Sequence, residues 1–463
     1  MNLTIGELHE LLGGELRLGR MPPRNGAHTQ IGSVVVDSDA VQAGDLYWDV
    51  ASNSADRSLS AEEAYLRGAI GVVTSGRAVT PWPGRWSLEV ADAQTSLVQL
   101  ASYNRGRCSA KVVAVAGSVG KTTTCAIVEA LLSEQFSTPQ SESTRRCSRN
   151  LAAQMLALDS YHELAIVEYP ARQEHCTSLP WIAPDIFVIT QWDDGLAAAQ
   201  TGRCNLNPLL ELIDQLPTST CLVLNGDDTS LRRVGMRTNR DIRWFGRSID
   251  CDLKASQISS EQGMLQFTIA GNRLSVPLWG RHHISSVLAA IAVGQLHGLE
   301  WNEITAGLRK FQPASAPCRV VSENGFTLVA DDGNLSPLSM RATLALMAEL
   351  ENPGRRIVVC GDLDTQNDDV AQLYQTVGEE AVTQCAADIV IACGSHAEQV
   401  LAAARQAGLS CQCAIHCRPT DELVELVEQL VRPGDAVLLK AGRATALPSL
   451  LQAFQSKRSR VAA

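Results

Sequence analysis

The sequence predicts an α/β protein in three domains: a mixed α/β N-terminal domain (residues 1–107), a central parallel-sheet domain (108–314) and a C-terminal Rossmann-like domain (315–463). Three observations carry this reading. Short apolar runs without alternation end abruptly in Gly, Asp, Glu or Asn, as strands buried on both faces of a parallel sheet do. Helical patterns separate these runs. The chain's 463 residues suffice for about three domains, each burying its own core.

Residues 1–105 mix short strand and helix patterns. They open on the surface-helix pattern MNLTIGELHELLGGEL and include the proline-rich loop TPWPGRW at 80–86. A first boundary falls near NRGRCSA (104–110). The strand runs that follow are VVAVAG (112–117), LAIVE (164–168), DIFVIT (185–190) and CLVLNGDD (221–228). Two prolines in FQPASAPC (311–318) interrupt the pattern and set the second boundary. Beyond them lie RIVVCGD (356–362), DIVIACG (388–394) and DAVLLKAG (435–442), with helices over AEQVLAAARQAG (397–408) and TDELVELVEQLV (420–431). The interruption implies two separate α/β sheets after the N-terminal domain.

Composition excludes some functions. Hydrophobic residues make up 45% and charged residues 19%, ordinary for a soluble globular protein. No apolar stretch approaches the roughly 20 residues that cross a bilayer, and the N-terminus lacks a signal-peptide core. A cytoplasmic monomer with no membrane partner is expected. The formal charge of −11 argues against nucleic acid as a partner, since phosphate neutralisation needs a basic footprint. The one basic cluster, SKRSR at 456–460, reads as a frayed tail. The fourteen cysteines are scattered, so reduced thiols are expected. CQCAIHC, with Cys411, Cys413, His416 and Cys417, lacks the paired CxxC spacing of structural zinc sites and reads as core or edge-strand thiols.

The densest chemistry lies in AGSVGKTTT (116–124). Gly117 and Gly120 permit positive φ and close backbone approach to a ligand. The helix that follows buries Ile127, Val128, Leu131 and Leu132, and its N-terminus is a natural seat for phosphate. Ser118 and Val119 complete the turn, Lys121 reaches terminal phosphates, and Thr122 or Thr123 supplies a hydroxyl to Mg²⁺. Val115 stands where the full-length phosphate loop has glycine, so this is the shortened Gly-x-x-Gly-Lys-Thr-Thr form.

With this loop in place, the chain resembles the Mur ligases over nearly its whole length. These ATP-dependent enzymes join amino acids or peptides to UDP-N-acetylmuramic acid in peptidoglycan synthesis. IGSVVVDSDAVQAGDLYWDV (31–50) resembles the uridine-binding segment, with Asp37 and Ser38 in its Asp-Ser-Arg motif. LAIVEYP (164–170) places Glu168 at the family's Mg²⁺-binding glutamate. VLNGDD (223–228) resembles the Asn-x-Asp-Asp turn through Asn225, and GRHHISSVLAAIAV (280–293) the Gly-x-His-Asn-x-x-Asn helix near adenine through His282. DDGNLSPLSMRATL (331–344) resembles the Asp-Ser-Tyr-Asn-Ala-Asn-Pro segment through Asp331 and Asn334. LLKAGRA (438–444) resembles the Lys-Gly-Ser-Arg turn through Lys440 and Arg443. Arg319, in PCRVV, matches the arginine directed at ATP.

The resemblance implies an acid–amino-acid ligase, most similar to the branch that adds D-alanyl-D-alanine to the UDP-muramoyl tripeptide. Its cofactors would be ATP and Mg²⁺, its substrates a UDP-muramoyl-peptide-like acid and D-alanyl-D-alanine or a related amine. Lys121, Glu168 and Arg319 would be catalytic. Gly117, Ser118, Val119, Gly120, Lys121, Thr122, Thr123, Asn225, His282, Arg319 and Asp331 would bind nucleotide, with Thr122 and Glu168 on the metal. Asp37, Ser38, Asn334, Lys440 and Arg443 would meet substrate.

The chain also departs from the family. QWDDGLAAA (191–199) lacks the histidine expected after the DIFVIT strand, and Leu209 stands at the place of a carbamylated lysine. His283 and Ser286 replace two asparagines. Asp331 to Ser336 is a reduced motif. Asp39 replaces the arginine of Asp-Ser-Arg, and Asp56, Arg57 and Ser58 replace Asp-Gly-His. Asp193 or Asp194, past a strand end, would offer a carboxylate to Mg²⁺ instead. Two alternatives therefore stand beside the ligase: a silent relative that binds nucleotide as a scaffold or regulator, and a ligase with another substrate.

Overall fold

A computed structural model describes residues 3–20, 25–50, 57–76, 78–139, 150–170, 179–192, 206–312, 318–323, 325–331, 337–351, 354–362, 370–418 and 421–440. The chain forms two compact units. The first comprises residues 1–116, 132–188 and 208–222; the second comprises 117–131, 189–207 and 223–463.

Three sheets organise the strands. The first contains β1 (Glu15–Leu18), β2 (Val34–Val35), β3 (Leu46–Trp48), β4 (Gly71–Ser75) and β5 (Trp86–Val90) in the order β1-β5-β4-β3-β2. Only the β1–β5 pairing is antiparallel. The Ile5–Leu12 helix ahead of it starts at a capping box between Thr4 and Glu7, which satisfies two opening amides at once. Trp48 and Trp86 lie wholly buried in this sheet, and Trp48 Nε1 donates to the Ala93 carbonyl (2.8 Å). The Ala93–Gly106 helix is capped by Asp92. Its Asn104 amide donates to the carbonyls of Met155 (3.1 Å) and Leu158 (3.0 Å).

The second sheet runs β13-β12-β11-β10-β9-β8-β6-β7. Its strands are β6 (Lys111–Ala116), β7 (Leu164–Glu168), β8 (Ile186–Ile189), β9 (Cys221–Asn225), β10 (Ile242–Gly246), β11 (Leu253–Glu261), β12 (Met264–Ile269) and β13 (Asn272–Val276). Val112 to Ala116 are each fully buried, as parallel strands covered on both faces require. In β11 the burial alternates from Leu253 to Ser256, the mark of a strand with one face in water. Two-residue turns join β11 to β13. Gln262–Gly263 (φ 49° and 80°) and Ala270–Gly271 (φ 47° and 82°) both have positive φ throughout, which matches strand twist in tight hairpins.

The third sheet holds β14 (Cys318–Glu323), β15 (Phe326–Asp331), β16 (Arg356–Cys360), β17 (Ile389–Cys393), β18 (Ala414–Cys417) and β19 (Ala436–Lys440). Their order is β14-β15-β19-β16-β17-β18, parallel except for β14 with β15. Successive residues feed two cores. Val329, Val358, Val390 and Leu438 pack on one face; Leu328, Ile357, Ile391 and Leu439 pack on the other. The sheet is thus buried on both sides, and its strand ends carry the polar residues.

The expected edge-strand reading of CQCAIHC holds. Cys417 is buried at the end of edge strand β18, and Cys411 is exposed in the turn before it. Among the described residues the cysteines are free, no metal-binding cluster of three or more His, Cys, Asp or Glu occurs, and no helix is long and apolar enough to cross a membrane.

Candidate nucleotide-binding site

The chain leaves β6 at Ala116, turns through Gly117 to Gly120, and enters the Lys121–Leu132 helix. That helix buries Ile127, Val128 and Leu132 completely and Leu131 nearly so, the face its sequence spacing predicts. Gly117 and Gly120 take φ of 137° and 84°, in the region that favours glycine. A Cβ on Gly117 would overlap Thr190 Oγ1, and one on Gly120 would sit 2.6 Å from Ser286 Oγ. The bare backbone is therefore a packing requirement as well as a conformational one.

Three carbonyls of the turn are held by side chains. Lys121 Nζ donates to Gly117 O (2.7 Å), Thr190 Oγ1 to Val119 O (2.5 Å) and Ser286 Oγ to Gly120 O (3.3 Å). The Ser118 N–H donates to Gln191 O (2.9 Å). Thr122 is half-buried, whereas Thr123 is buried at 2% exposure, so Thr122 is the more accessible hydroxyl for a metal ion. A turn with its carbonyls tied back and a helix opening at its end fits a polyphosphate, because the first amides of a helix have no intrahelical acceptor. Mg²⁺ accepts a few protein oxygens beside phosphate and water, and the Thr122 hydroxyl is of that type.

Asn225 reaches the turn indirectly. Its amide donates to Thr190 O (2.9 Å), and its Oδ1 accepts the Asp227 N–H (2.9 Å). Asp228 caps the Thr229–Gly235 helix through the N–H groups of Ser230 and Leu231 and also accepts from Trp192 N. Asp227 accepts the Arg247 and Ser248 amides and the Ser248 hydroxyl. Burial pushes its carboxyl up, but these hydrogen bonds outweigh that and hold it below the usual range.

Glu168 ends β7, with its backbone N–H and carbonyl both bonded to the buried Gln154 amide (2.9 and 3.3 Å). In the N-terminal sheet region Asp37 caps the Ser38–Ala40 turn, and Ser38 Oγ donates to Glu63 (3.3 Å). Asp39 pairs with Arg67 (2.9 Å), which also pairs with Glu63 (3.1 Å). Leu209, fully buried in the Asn207–Asp214 helix, packs as a core residue.

A second polar centre lies at the strand ends of the third sheet. Asp331 and Lys440 are register partners in β15 and β19. The fully buried Lys440 ammonium donates to Asp331 Oδ2, to Ser339 Oγ (2.9 Å) and to Thr343 Oγ1 (3.4 Å), while Thr343 donates to Asp331 (2.7 Å). His282 senses this pair. Burial, and secondarily the Lys440 charge, pushes its pKa down to about 4 against the opposing pull of Asp331. His283 is pushed well below its usual value by burial and by His282. Both rings are neutral at neutral pH. Arg319 is exposed on edge strand β14, opposite Ala330.

The structure thus brings Lys121, Gly117, Val119 and Asn225 into one bonded system through Thr190, and Asp331 and Lys440 into another whose charges act on His282. Asp56, Asp193, Asp194, Asn334, Arg443 and the prolines at 313 and 317 lie outside the described residues. Sequence reasoning did not single out Thr190, Gln154, Ser339 or Thr343. Thr190 alone left a trace, as a polar residue closing the apolar run DIFVIT.

The Mur ligase middle domain matches residues 115–294, and the Mur ligase, glutamate ligase domain matches 318–443. The chain belongs to the Mur ligase family. Within it, the UDP-N-acetylmuramoyl-tripeptide–D-alanyl-D-alanine ligase of Bacillus subtilis (strain 168) is 24% identical, covering 92% of this chain and 93% of its own. That of Synechocystis sp. is 27% identical over 91% of each chain. The crystal structure of MurF from Acinetobacter baumannii superposes with a TM-score of 0.74 at 19% identity, over 98% of this chain and 99% of that one. MurF from Thermotoga maritima in complex with ADP gives 0.68 at 21%, over 93% and 98%. These structures share the fold.

Proposed function

We propose that the protein is an ATP-dependent amide ligase of the MurF type, adding D-alanyl-D-alanine to UDP-N-acetylmuramoyl-tripeptide. The supporting observation is the pairing of an intact phosphate loop with relatives of that activity matched along more than nine-tenths of both chains. We read residues 1–107 as the UDP-substrate domain, 108–314 as the ATP domain and 315–463 as the ligase domain.

In this reading the tripeptide carboxylate attacks the γ-phosphorus of ATP, giving an acyl phosphate and ADP. The dipeptide amine then attacks the acyl carbon, loses a proton, and expels phosphate. Such transfers need positioning and charge neutralisation more than covalent help. Lys121 exchanges Gly117 O for the terminal phosphates, and the loop amides hold the β-phosphate. Thr122 would hold Mg²⁺, which would neutralise charge on the phosphoryl oxygens. Arg319, exposed on β14, supplies a cation to the same charge, and neutral His282 offers a ring to the adenine. Asp37 and Ser38 are assigned to the uridine nucleotide.

Phosphate release from ATP in the presence of UDP-muramoyl tripeptide and D-alanyl-D-alanine tests this. Release dependent on both substrates is expected, with Lys121→Ala lowering turnover by about 10²–10³-fold, the effect of removing one donor aimed at developing charge. Substrate-independent or background release from the wild-type protein would refute the ligase reading.

A further inference from the structure

We propose that Thr190 is a positioning residue for the phosphate loop, its hydroxyl fixing the peptide plane that turns the Gly120 N–H toward a triphosphate. Thr190 follows β8 directly and is 2% exposed. Its hydroxyl donates to Val119 O (2.5 Å). A trans peptide points its C=O and the next N–H in opposite directions. Holding the Val119 carbonyl against Thr190 therefore aims the Gly120 N–H away from Thr190. Ser286 does the same for the next plane through Gly120 O (3.3 Å), aiming the Lys121 N–H.

Thr190 is itself braced. Its carbonyl accepts the Asn225 amide (2.9 Å), and Asn225 is anchored by the Asp227 N–H (2.9 Å). The next residue, Gln191, accepts the Ser118 N–H through its carbonyl (2.9 Å). Gly117 closes against the hydroxyl with no room for a Cβ. The ends of β8 and β9 thus meet the loop through one relay, Asn225 to Thr190 to Val119. Threonine suits the post: its β-branch restricts χ1, so the hydroxyl is held in one direction. Valine has the same shape and leaves Val119 O without that donor. Asn225 accordingly acts on the loop through Thr190.

This inference rests only on the nucleotide-binding part of the proposed function. Mg²⁺–ATP is titrated calorimetrically into the wild-type chain, Thr190→Val, Thr190→Ser and Asn225→Asp, with melting temperatures measured in parallel. The expected result is a Kd about tenfold weaker for Thr190→Val, near-wild-type binding for Thr190→Ser, and about threefold weakening for Asn225→Asp, a tenfold change being about 1.4 kcal/mol. Should Thr190→Val fail to fold, Asn225→Asp, which cannot donate to Thr190 O, carries the test. Unchanged ATP affinity in the folded valine variant, or in Asn225→Asp where valine does not fold, would overturn the proposal, whatever happens to the melting temperature. Wild-type ATP binding without ligation would sink the ligase reading alone; no wild-type ATP binding would sink both.

Discussion

Two lysines of this chain, one opening a helix and one closing a strand, meet oxygen in opposite ways. Lys121 is half-buried and donates to a neutral carbonyl, Gly117 O, four residues back in its own loop. Lys440 is wholly buried and donates to a carboxylate and two hydroxyls from β15 and the Pro337–Glu349 helix. A bond to a neutral carbonyl beside solvent is readily exchanged for one to a phosphate. A carboxylate in a dry interior is not, because separating the pair strands two buried charges. Lys121 is built to change partners, and Lys440 to keep them.

The sharpest way to break this contrast is Lys440→Met. It leaves the Asp331 carboxylate, 4% exposed, without its cation, and a loss of about 3–5 kcal/mol in denaturant unfolding is expected. Adding Asp331→Leu should recover much of that loss, since replacing both members of a buried pair by apolar groups is often neutral. A stable single variant would show that Lys440 is not structural.

Gly117→Ala comes next. The side chain must enter a left-handed conformation and displace Thr190 Oγ1, a strain of about 1–3 kcal/mol. ATP affinity should fall as well as the melting temperature, because the strain lands on the loop. Equal ATP affinity in variant and wild type would count against the loop geometry.

The last effect is one of pH. His282 has a pKa of about 4 in the folded chain against 6.5 unperturbed, and His283 is lowered too. Between those values the unfolded chain binds more protons, so stability is complete above about 6.5 and is lost as pH falls toward 4. The slope is about 1.4 kcal/mol per pH unit for each fully responding histidine. Asp227, also lowered, acts only near and below 3.8. Melting at pH 7 and pH 5 should therefore differ more for the wild type than for His282→Asn. Parallel shifts would contradict the assignment.

The loop was legible because its signals are local. Glycines, lysine and threonines are contiguous, and β6, β7 and β9 match the apolar runs read from the sequence almost residue for residue. The strands β11 to β13 were not separated beforehand, since an alternating one-sided ladder is weaker than a continuous apolar run. The partners of Lys440 were hidden for another reason. Asp331, Ser339 and Thr343 stand about a hundred residues away, and only the pairing of β15 with β19 gathers them. Thr190 sat in plain view at a strand end, but nothing in its neighbours said that it would meet Val119.

The most direct test of the account is calorimetric titration of Mg²⁺–ATP into the wild-type protein and Lys121→Ala. Saturable binding at one site per chain is expected, weakened by about tenfold or more in the variant, as loss of a charge-assisted contact worth about 1.5–3 kcal/mol requires. Absence of binding, or binding indifferent to Lys121, would contradict a triphosphate seated on this loop.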